Sequence, residues 1–359
     1  MKSICWLTED WALDTDINIV PYLIESKCFN INWYVLTQKK NLIQESKYYK
    51  IIFIPYRFRD LRNIANFIEI FRHIRIKQFD IIYSSAMGIP FYYPILLNFK
   101  KRNQPLVHAA HNVIPYNVWP ISMRLTVKYI FKKNKYFQFF SKFTYNWFNK
   151  RYVNKNCFYA PMVIKDYGDV RTNHYAIDKG KVNLLFFGNV AGNKRLDLLI
   201  NAVKNLPDFI KNKIHLNICG NCKYDKEYFE EAIKGERNIS AYFKRIPDDE
   251  IPELFTKSSF LVLPYQDVAQ SGPHMIAYNY NLPVIASDLE GFSERIENGI
   301  NGFLFKVNNI NSLINTLVKV ASLNENEYLK IKSNLQDYVN KKFSKKSVAT
   351  EYINYFNNI

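Results

Sequence analysis

The sequence has little glycine and little cysteine, 11 and 5 of its 359 residues. Five scattered cysteines exclude a disulfide-built scaffold and are typical of a reducing compartment. Cys219 and Cys222 form a Cys-x-x-Cys pair, but the chain offers no second pair of metal ligands, so a strand end is favoured over a redox or metal site. No apolar run of about 18 residues occurs and the opening residues do not resemble a signal peptide, so we expect a cytoplasmic chain without a membrane-spanning helix.

Acidic residues are missing from one long segment, between Asp80 and Asp166, in a chain whose net charge is +17. Aromatic residues alternate with basic ones over residues 119–151, and the apolar spacing within 127–143 predicts a single helix that lies at an interface. A surface of this composition suits anionic lipid, an anionic small substrate or nucleic acid. The charge alone therefore leaves three kinds of partner open.

Apolar strand patterns alternate with helical patterns in both halves of the chain. The strand patterns lie at 3–7, 31–37, 50–55, 80–85 and 105–110, and again at 182–188, 215–220, 239–243, 260–265 and 283–287. This alternation indicates parallel sheets with right-handed crossovers. The sequence predicts the α/β class, with two doubly wound Rossmann-like domains over residues 1–170 and 171–340.

The turn Ser271-Gly272-Pro273 lies between the strand patterns 260–265 and 283–287 and opens a predicted helix. Proline is favoured at the first helical position, and Ser271 or Gly272 can cap the helix. The free N–H groups of the first turn, near His274, lie at the carboxyl end of the preceding strand, where the helix dipole favours an anion. A well-capped connection without a ligand is the alternative.

Four stretches of the second half occur in the order and at the spacing of one enzyme family. They are LLFFGNVAGNKRLDLLINA, YFKRIPDDEIPELFTKSSFLVLPY, QSGPHMIAYNYNLPVIASD and LEGFSERIENGINGFLF, which together span residues 184–305. The set resembles the retaining glycosyltransferases of family 4, also called glycosyl transferases group 1. The first half resembles that family only in its strand pattern and in two short motifs.

The resemblance implies the GT-B fold, in which two Rossmann-like domains face each other across a cleft and the last helix, here 341–359, packs back on the first domain. It implies transfer of a sugar from a nucleoside diphosphate donor with retention of the anomeric configuration. No Asp-x-Asp motif lies in the second half, so we expect no metal and no other cofactor.

Carried over position by position, the resemblance implies a donor site in the second half. Gly188 would let the backbone approach the diphosphate, and Lys194 and Arg195 would neutralise it as catalytic residues. The other implied donor contacts are Asn189, Gly220, Tyr265, Ser271, Gly272, His274 and Glu294. A solvated lysine is the alternative for Lys194, and a helix-capping role is the alternative for Glu294.

The chain departs from the family pattern at four positions of the second half, one of which is Arg195 where the family usually has glycine. Asn189 stands where the family has arginine, and Val268 and Ile276 stand where it often has two glutamates that contact the donor sugar and ribose. A non-catalytic protein that kept the fold is therefore one alternative to a glycosyltransferase. A basic polyanion- or nucleic-acid-binding protein is another, although it leaves the ordered motifs unexplained, so we expect no nucleic acid partner.

The first half is expected to hold the acceptor. His111 resembles the family histidine that meets the donor sugar, and a core histidine is the alternative. Asp14 and Asp16 are the candidate acceptor-binding residues, and a solvated acidic loop is the alternative. We expect a glycan or lipid-linked acceptor from surface polysaccharide synthesis, such as capsule or O-antigen, with the basic 119–151 region attached peripherally to the anionic inner face of the cell membrane.

Overall fold

The computed structural model describes residues 1–37, 51–55, 60–85, 95–97, 100–111, 113, 121–175, 180–223, 225–268 and 270–359. The chain divides into two units, residues 1–163 with 343–359, and residues 164–342. The first boundary lies a few residues before the expected one at 170. The cause is that the N–H of Lys165 donates to the carbonyl of Met275 at 3.3 Å, and the N–H of Tyr167 to the hydroxyl of Tyr280 at 3.1 Å.

The first unit contains a parallel sheet of seven strands in the order β3-β2-β1-β4-β5-β6-β7. The strands are β1 (Ser3–Glu9), β2 (Asn30–Thr37), β3 (Ile51–Pro55), β4 (Ile81–Ser84), β5 (Leu106–Ala110), β6 (Tyr136–Phe139) and β7 (Asn156–Tyr159). The helices are α1 (Leu13–Asp16), α2 (Val20–Glu25), α3 (Asn63–Lys77), α4 (Ile121–Lys133) and α5 (Lys142–Asn149), with a 3-10 turn at Asp10–Ala12. The strand order reverses between β1 and β4, where Leu7 lies opposite Ser84.

The second unit contains a parallel sheet of six strands in the order β10-β9-β8-β11-β12-β13. The strands are β8 (Val182–Phe187), β9 (Ile214–Cys219), β10 (Ile239–Tyr242), β11 (Phe260–Leu263), β12 (Val284–Ser287) and β13 (Gly302–Phe305). The helices are α6 (Leu196–Lys204), α7 (Asp208–Lys211), α8 (Lys226–Ala232), α9 (Ile251–Lys257), α10 (Gly272–Asn279), α11 (Glu290–Ser293), α12 (Ile310–Ala321) and α13 (Glu325–Lys342), with 3-10 turns at Gly192–Lys194 and Asp248–Glu250.

The helices of the second unit cover its sheet with apolar residues at helical spacing. Leu199 and Val203 of α6 are fully buried and join one core with Leu313 and Leu317 of α12. The strands between them are buried on both faces, as expected for parallel sheets. Every strand that the sequence predicted is present, and the prediction of two doubly wound Rossmann-like domains is confirmed.

The last helix, α14 (Lys345–Asn357), packs on the first unit. The Tyr355 hydroxyl donates to the carbonyl of Asn156 at 3.0 Å, and the amide nitrogen of Gln138 lies 2.6 Å from the Tyr352 hydroxyl. Tyr352 also packs 5.7 Å from Trp6, ring centre to ring centre. This last segment therefore completes the core around the first strand.

The prediction of a single interfacial helix over 127–143 is wrong. Helix α4 ends at Lys133, and strand β6 follows it in the middle of the predicted segment. Phe137 and Phe139 are fully buried, with ring centres 4.8 and 4.9 Å from that of Phe148. Two of the aromatic residues that suggested contact with lipid, Phe137 and Phe139, are thus core residues, and their burial favours a strand over a continued helix.

Candidate functional site

The strand order of the second unit reverses between β8 and β11, and open parallel sheets bind ligands at such a point. Gly188 directly follows β8, and Tyr265 follows β11 shortly before helix α10 begins at Gly272. The predicted donor residues of the second half are therefore grouped at one end of one sheet. Their side chains differ in whether they are available to a ligand.

Gly188 lies where Lys194 and the start of α10 come together. Its φ angle is +109°, and a Cβ atom at this position would lie 3.2 Å from the Lys194 ammonium and 3.6 Å from Cγ of Pro273. Gly220 ends the neighbouring strand, and a Cβ there would overlap the carbonyl oxygen of Gly188 and lie 2.6 Å from its carbonyl carbon. Only glycine at both positions lets the two strand ends approach and leaves the Lys194 ammonium open to the backbone.

Lys194 is a half-buried cation at this point. Its ammonium lies 5.6 Å from the ring centre of Tyr265, a contact typical of cation–π pairs. Burial lowers the pKa of Lys194 to about 8. Among the described residues no carboxylate forms an ion pair with this ammonium. A bound anion would restore the stability of the charged form, because opposite charge raises the pKa of an amine.

Arg195 does not share the position of Lys194. Its backbone is left-handed, with φ 48° and ψ 47°, which explains why the resembling family has glycine here. The guanidinium binds Asp197, with Nη2 2.8 Å and Nε 3.0 Å from the carboxylate oxygens, and Nη1 lies beside the side-chain oxygen of Asn308. Its charge is thus already neutralised. The neighbouring predicted contact, Asn189, is exposed.

Helix α10 begins as predicted from the Ser271-Gly272-Pro273 turn. The Ser271 hydroxyl oxygen accepts the N–H of His274 at 3.4 Å and so caps the helix. Lys165, which the sequence analysis did not identify, approaches the same turn, because a Cβ at Gly272 would lie 3.5 Å from its ammonium. The helix start is therefore flanked by Lys194 on one side and Lys165 on another.

The imidazole of His274 is fully buried, edge-on to the ring of Tyr278 at 4.3 Å. Burial, with the nearby Arg295 charge, holds the pKa of His274 well below its usual value, so it is a neutral core residue. Its backbone N–H belongs to the first turn of α10, and both imidazole nitrogens are buried without a hydrogen-bond partner among the described residues, so the contact of His274 with a ligand stays a prediction. Glu294 is the C-cap residue of α11 and takes no part in an N-terminal cap, and its carboxylate lies 3.0 Å from the guanidinium of Arg295.

The two positions at which the family has glutamate carry no polar side chain that replaces it. Ile276 is buried within α10, and Val268 is half-buried in the preceding loop. Neither residue can accept a hydrogen bond from a sugar or ribose hydroxyl. The described part of this site therefore offers positive charge and backbone N–H groups, which suit phosphate better than sugar.

The first unit places its predicted residues in different environments. His111 is buried, stacked on Phe140 at 4.1 Å and edge-on to Trp11 at 4.7 Å. Asp14 is exposed, whereas Asp16 is buried at the reversal of the strand order. Oδ2 of Asp16 accepts hydrogen bonds from Trp6, Thr8 and Ser85 at 3.1, 2.7 and 2.7 Å. Asp16 thus joins β1 to the segment after β4.

Stability of the first unit is expected to depend on pH through Asp16. Burial raises the pKa of Asp16 from 3.8 to about 6. The native state holds this proton more tightly than the unfolded chain does. The contribution of Asp16 to the free energy of unfolding is therefore largest below pH 4 and is lost as pH rises to 6, by at most about 3 kcal/mol. We expect Asp16→Asn to remove this loss, so that the variant gains stability relative to wild type between pH 4 and 7.

Urea unfolding followed by tryptophan fluorescence measures this difference, because all five tryptophans lie in the first 150 residues. Asp14→Asn, an exposed carboxylate two positions away, is the matched control. An equal decline of stability with pH in wild type and Asp16→Asn would contradict the assignment.

Two findings concern the whole set of described residues. Within the described ranges no helix combines the length and the apolar content that a membrane crossing requires. Among the same residues no group of three or more histidine, cysteine, aspartate or glutamate side chains is placed to hold a metal ion.

Comparison with known proteins gives one family. Residues 171–337 match the family described as Glycosyl transferases group 1. An uncharacterized 41.2 kDa protein in the cps region of Klebsiella pneumoniae is 25% identical over 183 residues, covering 51% of this chain and 48% of that protein. The uncharacterized glycosyltransferase MJ1178 of Methanocaldococcus jannaschii is 31% identical over 149 residues, covering 41% of this chain and 39% of that protein. The chain thus spans half or less of the length of these two relatives.

A solved structure matches the complete chain. It is that of Anabaena Alr3699/HepE in complex with UDP and glucose, with a TM-score of 0.75, 15% identity and full coverage of both chains. At this identity the likeness shows the fold alone. Together with the two parallel sheets it confirms the GT-B fold that the sequence resemblance implied.

Proposed function

Since residues 171–337 match the family described as Glycosyl transferases group 1, we propose that the chain is an enzyme that transfers a sugar from a nucleoside diphosphate donor. The observation that carries this proposal is the convergence of Gly188, Lys194 and the start of α10 at the strand reversal of the second unit. The structural neighbour whose complex contains UDP and glucose is consistent with such a donor.

The geometry suits the difficult step of the reaction, which is departure of the diphosphate. Negative charge builds on the oxygens of the leaving group as its bond to the sugar breaks. Fixed positive groups that already surround these oxygens stabilise the transition state without rearrangement. The Lys194 ammonium and the N–H groups of the first turn of α10 supply such groups, so they take the catalytic role.

We further propose that transfer retains the anomeric configuration and uses no metal or other cofactor. The support is the family resemblance together with the protein's own cations, which can neutralise the diphosphate. The coupling constant of the anomeric proton in the NMR spectrum of the product distinguishes retention from inversion. An inverted product would exclude the proposed stereochemistry.

The donor proposal is tested by thermal unfolding with UDP, GDP, dTDP, ADP and CMP, each at about 100 times its dissociation constant. Saturation at this excess adds about 2.7 kcal/mol, which raises the melting temperature of a unit of this size by about 5 °C or more. We expect one nucleoside diphosphate to stabilise the protein selectively, equally with and without EDTA. A flat panel would contradict the proposal, and nucleotide binding without sugar transfer would favour a non-catalytic protein.

We propose an acceptor that is a glycan or a lipid-linked sugar of surface polysaccharide synthesis. A relative from a cps region supports this class of pathway. Incubation of the donor with lipid extracts and with soluble oligosaccharides, followed by mass spectrometry, separates the two kinds of acceptor. Products in neither fraction would contradict the proposed class.

We propose that α4 attaches the protein to an anionic membrane. Ile121, Leu125 and Tyr129 recur every four residues on one side of this helix and are 75%, 62% and 36% exposed. The basic residues Arg124, Lys128 and Lys132 recur at the same spacing beside them and are exposed. The opposite side is buried in the first unit through Val127, Ile130 and Phe131. An apolar stripe bordered by basic residues fits a surface of anionic lipid.

Reversing two charges of α4 is expected to weaken binding to vesicles. Each basic residue near an anionic surface contributes about 1 kcal/mol, so Lys128→Glu with Lys132→Glu lowers vesicle affinity by about 30-fold or more at low salt. Co-sedimentation with phosphatidylserine vesicles measures the change. Lys341→Glu with Lys342→Glu at the exposed end of α13 is the control with equal net charge. Equal losses in both pairs, or binding of single-stranded DNA but not of vesicles, would contradict the proposal.

A further inference from the structure

We infer that Lys165 is a second phosphate-binding residue of the proposed donor site, acting on the diphosphate together with Lys194. The inference rests on the proposed function. Lys165 is only 5% exposed, which is unusual for lysine. Its N–H donates to the carbonyl of Met275, and its ammonium lies 3.5 Å from where a Cβ of Gly272 would stand. The backbone bond therefore holds the side chain against the first turn of α10.

Positive groups converge at this turn. The amino end of a helix carries a partial positive charge, and a cation is normally disfavoured there. Two ammonium groups nevertheless approach it, that of Lys165 beside Gly272 and that of Lys194 beside Gly188, which itself approaches Pro273. Like charges repel, most strongly where water is excluded. A ligand with two or more negative charges removes the repulsion.

A buried phenol supplies an independent sign of a ligand. Tyr265 is 4% exposed, and its hydroxyl lies near the Ser271 side chain but has no partner with full hydrogen-bond geometry among the described residues. Buried polar groups are nearly always hydrogen-bonded, so an unsatisfied one indicates a missing partner. The Lys194 ammonium lies over the ring of the same residue, which places the phenol within this cluster. A phosphate oxygen would accept its hydrogen bond.

Lys165 also accounts for the departures of this chain from the family pattern. Asn189 stands where the family has arginine, and the guanidinium of Arg195 is already bound to Asp197. Lys194 would then be alone against a diphosphate that carries at least two negative charges. Lys165 supplies the second positive charge from the segment before β8 rather than from the loop after it. The ligand class is a diphosphate, independent of the base and sugar attached to it.

Isothermal titration calorimetry with inorganic pyrophosphate, and with the nucleoside diphosphate selected by thermal unfolding, tests this inference. We expect Lys165→Met to weaken both ligands by about 10- to 100-fold, the loss of one charge-assisted hydrogen bond, and Lys165→Arg to retain most of the affinity. The phosphate-free nucleoside should bind wild type and variant equally. Lys319→Met, on α12 beside the edge strand β13, is the control for loss of a lysine from the same unit.

Each outcome separates this inference from the proposed function. Unchanged pyrophosphate binding in Lys165→Met, with weakened binding in Lys194→Met, overturns the inference and leaves the donor site intact. An equal loss of affinity for the phosphate-free nucleoside indicates a structural role and also overturns it. If Lys165→Met does not fold, Lys165→Gln decides by the same titration. A wild-type chain that binds neither pyrophosphate nor any nucleotide overturns both the inference and the proposed function.

Discussion

Replacing Lys194 by methionine is expected to lower kcat with a nucleoside diphosphate sugar by about 100- to 1000-fold. The Lys194 ammonium lies beside Gly188, close to the start of α10, where the leaving diphosphate is proposed to bind. Methionine keeps a long side chain over the ring of Tyr265 but removes the charge. The effect is expected mainly in kcat, because the lysine acts most strongly on charge that develops in the transition state.

Arg195→Met is the matched comparison for Lys194→Met. Since the guanidinium of Arg195 is bound to Asp197 and Asn308, we expect its loss to change kcat less than tenfold. A second readout is pH. In the protein without nucleotide, burial lowers the pKa of Lys194 to about 8. Nucleotide affinity of the wild type should therefore fall as pH rises above 8, because the lysine loses its charge. Lys194→Arg should abolish that fall. Equal kcat values for wild type and Lys194→Met would contradict the proposed mechanism.

Replacing Gly220 by alanine is expected to destabilise the second unit by at least about 3 kcal/mol, a lowering of its melting temperature by about 6–12 °C. The added Cβ would overlap the carbonyl of Gly188, which is backbone and cannot rotate away. The strand ends of β8 and β9 would have to separate. Circular dichroism at increasing temperature measures the loss, and Lys194 should lose its position and the protein its nucleotide affinity.

Variants of two other glycines distinguish the cost of steric overlap from the cost of placing alanine at a positive φ angle. Gly235→Ala keeps a positive φ of +82° but meets no atom within 4 Å, so we expect a cost of about 1 kcal/mol. Gly192→Ala meets no atom within 4 Å and has no positive φ, so it should be nearly neutral. A cost for Gly220→Ala no larger than that for Gly235→Ala would show that the strand ends separate easily.

The fold and one part of the site could be predicted from the sequence because their determinants are local. Apolar runs of strand length, the cap at Ser271 and the proline at the first turn of α10 are all read within a few residues. Strand β6 could not be predicted in this way, because helix-like spacing in 127–143 competes with burial of Phe137 and Phe139 against Phe148. That burial is set by tertiary packing.

The side chains that form the candidate site depend on partners far away in sequence. Arg195 is held in part by Asn308, 113 residues later, so its charge appeared available in the sequence. Lys165 reaches Gly272 from a segment in which the apolar pattern weakens and which carries no motif. Asp16 is buried by Trp6 and Ser85, one of them 69 residues away, although a loop aspartate is usually solvated. The spacing of residues along the chain does not indicate any of these contacts.

The return of α14 to the first unit sets an order for folding during synthesis. Residues 164–342 form their unit without any later part of the chain. The first unit, by contrast, needs Tyr352 against Trp6, and the ammonium of Lys2 binds the carbonyl of Ile359 at 2.6 Å. Domains usually fold from the amino end as the ribosome delivers them. Here the unit that is translated first is completed last, so the part of its core around Trp6 stays uncovered on the nascent chain until α14 emerges.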